Sequence, residues 1–271
     1  MGTSQASSGP GPGVPLVPPW ADPGPETDAT TPDGDETAPT AQSQVEPAIA
    51  PPARFGRARS SAGRFAESGR RDDLRKALSH YVRTGYGGSA TTARRMSSTV
   101  RTAVALNSVL GGSPVSGVTR EPVDRPIAGA SADEIMDSVV DAVRPVDGTL
   151  DGEANRDAVR DSLCELLERF PDADLMELTE EQRTLVVAEY VAHDVFRRFD
   201  LDIGATIRRR APSISAALSR LNEARRYIQE VVRGAFRRLA RVGHALTSGR
   251  IGAVVRAALR EAFDVFASEP E

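Results

Sequence analysis

The chain has 271 residues, 39% of them hydrophobic and 27% charged, with a net charge of -4. By length it holds one domain or two. A single cysteine, Cys164, excludes an internal disulfide framework and a cysteine-based zinc site, and three histidines are too few for a histidine-only metal site.

The small net charge hides blocks of opposite sign. Residues 1–53 carry seven acidic residues and no basic one, while 54–101 carry twelve basic and three acidic. Residues 130–205 hold twenty acidic against seven basic, and 206–271 thirteen basic against six acidic. Lys76 is the single lysine among 34 basic residues.

Twelve of the nineteen prolines fall within residues 1–53. Such a segment cannot bury enough apolar surface to offset its ordering entropy, so residues 1–69 read as a disordered tail. There is no basic n-region of a signal peptide, and Ala6 stands where a myristoylation motif wants Ser or Thr. No stretch approaches the ~20 apolar residues of a membrane span. A cytoplasmic protein without membrane partners is expected. Within the tail, Val14-Pro15-Leu16-Val17-Pro18-Pro19-Trp20 contains the single Trp of the chain. A proline-stiffened run ending in Trp reads as a short partner-docking motif, because polyproline II is partly formed before binding and Trp is a frequent hot-spot residue. The alternative is a Trp tolerated in a linker.

The rest reads as helices, and the predicted fold class is all-α. Leu74, Leu78, Tyr81 and Val82 stripe a helix over 70–83, which Gly85-Tyr86-Gly87-Gly88 stops. Ser89 caps a second helix with Met96, Val100, Ala103, Leu106 and Leu110 on its face. Together, residues 70–110 form a basic helical hairpin. Its Arg70, Arg71, Arg75, Arg94, Arg95 and Arg101 are candidate phosphate contacts. Residues 111–130, with three prolines and no period, form a linker.

Residues 131–271 read as a helical bundle. Ser131 with Glu134, and Thr179 with Gln182, are capping boxes. A further helix spans about 155–170. Ser213 caps a long helix whose seam runs Ile214, Leu218, Leu221, Arg225, Ile228, Val232, Ala235, Leu239 and Val242. Ser248-Gly249 turns the chain into a last helix, giving an antiparallel hairpin. Arg226, Arg233, Arg237 and Arg241 share one face of the long helix, and the acidic block is their expected partner.

Catalytic motifs are lacking. Glu189 and His193 lie four apart with Asp194 adjacent, but neither His-Glu-x-x-His nor paired Glu-x-x-His units are present, so a satisfied or exposed histidine is expected rather than a metal ligand. Gly85-x-Gly87-Gly88 follows a helix rather than a strand and reads as a turn, not a dinucleotide cradle. There is no Gly-x-Ser-x-Gly elbow and no Walker A loop, and Cys164 has no neighbour to activate it. The expectation is a non-enzyme with no catalytic residue, metal or cofactor.

Several segments resemble a known family. They are Met1-Gly2-Thr3-Ser4, the run ending in Trp20, Arg64-Phe65-Ala66 through Ser68-Gly69-Arg70, Leu74-Arg75-Lys76-Ala77-Leu78, His80-Tyr81-Val82, Thr84-Gly85-Tyr86-Gly87-Gly88 and Arg94-Arg95. They resemble QatB, the small component of the bacterial Qat anti-phage system, with the likeness concentrated in the first 110 residues. The resemblance implies an ATPase, a QueC-like enzyme and a TatD-like nuclease as partners. This chain is then an adaptor or protein substrate among enzymes. Gly2 is the candidate modification site, since removal of Met1 exposes its amine at the end of a long tail. A nucleic-acid-binding accessory protein using the arginine surfaces is the alternative.

Overall fold

The computed structural model describes residues 15–17, 49–112, 131–241 and 250–269. Val14, Pro18, Pro19, Trp20 and Gly2, residues 113–130 of the expected linker, and the Ser248-Gly249 turn lie outside the described residues. In chain order the helices are α1 (Gly56–Ser68), α2 (Arg71–His80), α3 (Ser89–Arg95), α4 (Ser97–Leu110) and α5 (Ala132–Val143). They continue with α6 (Leu150–Arg169), α7 (Glu180–Phe199), α8 (Ala205–Arg210), α9 (Ile214–Arg241) and α10 (Ile251–Ser268). Two π-helical turns, Tyr81–Gly85 and Asp200–Gly204, follow α2 and α7. Among the described residues there is no strand, only an isolated bridge between Pro15 and Ile49. The all-α class is therefore observed.

Helix α7 is the axis of the core. Every residue from Val186 to Phe196 is buried, polar Glu189, His193 and Asp194 included. A helix buried all round has neighbours on every side, and α7 packs on α6, α4 and α9. Both capping boxes form: Ser131 Oγ accepts from Glu134 N and Thr179 Oγ1 from Gln182 N, at 3.3 Å each. Ser213 Oγ likewise accepts from Ala216 N at 3.1 Å, at the start of α9. Helices α9 and α10 run antiparallel, since Arg238 pairs with Glu261 and Tyr227 with Glu269.

Helix α1 departs from the sequence reading, which has residues 1–69 in the tail. Its apolar face is mostly alanine, Ala58, Ala62 and Ala66, with Phe55 before it and Phe65 inside it, all buried. Alanine and serine lack the large-residue stripe that marks an amphipathic helix, yet they let α1 approach α2 and α8 closely. The expected hairpin over 70–110 also differs. A break at Met96 divides its second helix, and Gly88, not Ser89, is the N-cap residue. Helix α10 packs on α2, α3 and α4, so the hairpin shares one continuous core with the bundle, running from Phe55 to Phe266. On α9 the buried stripe is Ala217, Leu221, Ala224, Ile228, Val232 and Ala235, whereas Ile214 is 83% exposed and Leu218 58%. The seam predicted from Ile214 is thus out of phase with the buried face over its first turns.

Candidate functional site

The two π-turns bring together an aromatic and ionic cluster. Phe55, Tyr81, Tyr86 and Phe199 meet with ring centroids 5.1 to 5.5 Å apart. Gly85 is required here, because a Cβ would come within 2.6 Å of the Phe55 ring. Tyr81 and Tyr86 hydroxyls both donate to Asp202 Oδ2, at 2.9 and 2.7 Å. Burial pushes the Tyr86 phenol up to about 12, the neighbouring Asp202 carboxylate adding to it, so both tyrosines remain donors. Arginines surround the rings. Arg54 lies 5.3 Å and Arg95 5.4 Å from the Tyr86 centroid. Beneath them Arg198 pairs with Asp151 at 3.3 Å. The cavity between Tyr86, Arg95, Arg198 and Phe263 has room for about one water, too little for a substrate.

On the surface of this cluster lies a piece of the N-terminal segment. Leu16 is 6% exposed, and Arg95 Nη1 donates to its carbonyl at 2.7 Å. Gly87 has φ +77°, and a Cβ there would meet Leu16 Cδ1 at 2.9 Å. Of the expected docking motif, Pro15, Leu16 and Val17 therefore rest against the chain's own body.

A second cluster lies between α6, α7 and α9. Glu165, Glu189 and His193 offer ligand atoms within 4.8 Å of one another. Arg233 fills the space between the carboxylates: its Nε is 2.6 Å from Glu189 Oε2 and its Nη2 2.8 Å from Glu165 Oε2. His193 Nε2 lies 3.1 Å from Glu165 Oε1, and Gln229 Nε2 lies 3.1 Å from His193 Nδ1. Burial pushes Glu189 up to about 7, whereas the hydrogen bond from His193 and the Arg233 charge hold Glu165 at about 2. A guanidinium already neutralises the donor set a cation would use, so the cluster reads as an internal ionic lock. Sequence spacing brings out Glu189 and His193. Glu165 and Gln229 are missed, because they come from other helices and carry no local signal beyond a polar residue on an inward face.

Next to this lock, buried Asp194 accepts from Thr99 Oγ1 at 2.6 Å and Asn155 Nδ2 at 3.2 Å. Burial pushes its carboxyl up. Cys164 touches Met136 Sδ at 3.9 Å, and burial, with Asp161 adding to it, raises its thiol. That is the opposite of nucleophile activation.

The candidate phosphate-binding arginines separate into two groups. Arg71 pairs with Glu223 at 3.0 Å and Arg75 with Glu269 at 3.8 Å, while Arg95 holds Leu16. Arg70, Arg94 and Arg101 are exposed, with no ion pair among the described residues. On α9, Arg233 meets the acidic block as expected, whereas Arg226, Arg237 and Arg241 are exposed with no ion pair among the described residues, because they lie on the side of α9 away from α6 and α7.

A family model described as "Qat anti-phage system associated protein QatB" matches residues 87–266. The chain belongs to the QatB family. It is thereby a component of an anti-phage defence system. The match starts at Gly87, inside the Leu16 seat, and runs to the end of the core in α10. Of the segments that carry the resemblance, only Gly87-Gly88 and Arg94-Arg95 lie within the match, most of which falls beyond residue 110. No curated protein and no solved structure matches the chain. No helix among the described residues is long and apolar enough to cross a membrane.

Proposed function

We propose that this QatB-family chain acts in its defence system as a protein partner rather than a catalyst, serving as adaptor or protein substrate for an ATPase, a QueC-like enzyme and a TatD-like nuclease. Membership of a family described as associated with the system is the observation that carries this reading. The chemistry of the clusters supports it, because their carboxylates, tyrosines and histidine bond to one another. The reactive group of the chain is then the amine of Gly2 after removal of Met1. An α-amine with a pKa near 8 is about 10% neutral at pH 7, against about 0.04% for a lysine. Lys76 is the single competing lysine and is partly buried on α2. QueC-like enzymes activate a carboxylate with ATP and pass it to a nitrogen nucleophile, so the product on Gly2 is an amide. Intact-mass and N-terminal peptide mass spectrometry, with and without the QueC-like partner, test this. An added mass on Gly2 that requires the partner is expected. A bare Gly2 in the co-expressed system, or an adduct on Lys76, would sink the proposal. Retention of the operon's enzymes on tagged chain tests the adaptor role.

The exposed Arg94 and Arg101 favour a second reading, an accessory nucleic-acid contact. If it holds, binding falls steeply with salt. Replacing both arginines with alanine reduces the log-log salt slope by about 0.9 for each phosphate that is no longer neutralised. A gel-shift titration against salt measures it, and no shift at low salt for DNA or RNA excludes it.

A further inference from the structure

The seat of Leu16 has the features of a peptide site. The segment pairs once and then bends: Pro15 bridges to Ile49, Leu16 and Val17 form a bend, and Leu16 is buried although it lies outside the contiguous core that joins Phe55 to Phe266. One polar and one shape-selective group receive it. Arg95 donates to the Leu16 carbonyl, a backbone interaction indifferent to side chain. Gly87 leaves the space that the Leu16 side chain occupies, and any other residue there would clash at φ +77° as well as with Cδ1. Arg54, 5.3 Å from the Tyr86 ring centroid, is 8% exposed. Like Arg95, Arg54 lies over the Tyr86 ring, so the wall of the seat is cationic. Charge favours this occupant: residues 1–53 are acidic without a basic residue, and residues 54–101 are strongly basic.

We propose that Gly87 and Arg95 form a recognition site for a proline-leucine peptide, occupied in cis by the chain's own Pro15-Leu16-Val17. The site is a clamp that closes on the N-terminal segment and opens reversibly, because among the described residues Leu16 is the buried side chain of that segment and it lies outside the contiguous core. Its consequence for Gly2 rests on the function proposed above. With the clamp closed, the amine is fourteen residues from its anchor, a reach of about 50 Å at most. With it open, the next described residue is Ile49, and the upper bound on the reach more than triples.

The test uses the full chain alone, so it stands or falls separately from any modification of Gly2. In methyl-labelled protein, a nuclear Overhauser contact between the Leu16 δ-methyl and the Gly87 α-protons is expected, with Leu16 assigned by the disappearance of its signal in Leu16→Ala. The single Trp, four residues from Leu16, reports the clamp. Leu16→Ala lowers the ratio of closed to open forms by about ten- to a hundred-fold, so Trp20 anisotropy falls and acrylamide quenching rises. Leu16→Met, which conserves volume, restores both. Arg95→Met moves them in the same direction as Leu16→Ala, with helical circular dichroism unchanged. Absence of the Leu16–Gly87 signal in the wild-type chain would overturn the proposal. So would a signal seen only between differently labelled copies, which would place the segment on a second molecule.

Discussion

A chain that starts at residue 70, where the sequence pattern alone would place the folded part, should fail to fold, whereas one that starts at residue 49 should fold normally. The first cut removes Phe55 and Phe65, both fully buried, together with Ala58, Ala62 and Ala66. Losing one buried Phe side chain costs about 3–5 kcal/mol. Two of them, with the alanine face of α1 beside them, match the whole stability of about 5–15 kcal/mol typical of a domain. The cut also uncovers Tyr81 and Tyr86, which stack against Phe55. The second cut removes Leu16 from its seat, worth at most about 3 kcal/mol of apolar burial. Circular dichroism melting of the two truncations separates them. Equal midpoints would mean that α1 contributes nothing to the core.

Replacement of Arg233 by methionine should destabilise the protein by about 3 kcal/mol at pH 8, the lower end of the cost of leaving a buried charge unpaired. The lower end applies because 32% of the Arg233 side chain is exposed and water can partly replace it. The cost should shrink on acidification. Glu189 has its pKa raised from the unfolded 4.5 to about 7, so its contribution is complete below 4.5 and is lost as pH rises through 7. Glu165 is shifted the other way, to about 2, so its contribution is complete above 4.5 and fades as pH falls toward 2. At pH 5 Glu189 is protonated with or without Arg233. At pH 8 the variant has lost the guanidinium that lowers the Glu189 pKa, so it must hold the proton against the solution or bury an unpaired carboxylate, and either costs stability. Urea unfolding of wild type and variant at the two pH values reads the difference. A penalty independent of pH would show that Glu189 stays ionised, or stays neutral, throughout.

Helices with a large-residue stripe or a capping box were legible from the sequence. The Ser131 and Thr179 boxes and the apolar face of α10 are each encoded within a few residues of one another. What the sequence hid was encoded at a distance. The buried face of α1 is small, so its period is weak, and it follows a proline-rich segment whose composition argues for disorder. Helix α7 buries Glu189, His193 and Asp194, which a sequence pattern assigns to a polar surface. Their burial depends on Glu165, Arg233, Thr99 and Asn155, which come from α6, α9 and α4. The Leu16 seat was half visible. The motif stood out by composition, but its receptor was a glycine turn and one arginine among many in a basic segment.

The place of α10 bears on how the chain is made. It begins some 170 residues after α2 ends, yet it packs on α2, α3 and α4, and Ser79 Oγ reaches the carbonyl of Ala267 at 3.5 Å. Pairings between such distant parts of a chain form late and slowly. On the ribosome α2, α3 and α4 emerge before the helix that packs on them, and the faces they turn to it stay uncovered until α10 leaves the exit tunnel. A nascent chain in that state is exposed to aggregation and to chaperones. The core is thus complete only once α10 has been made.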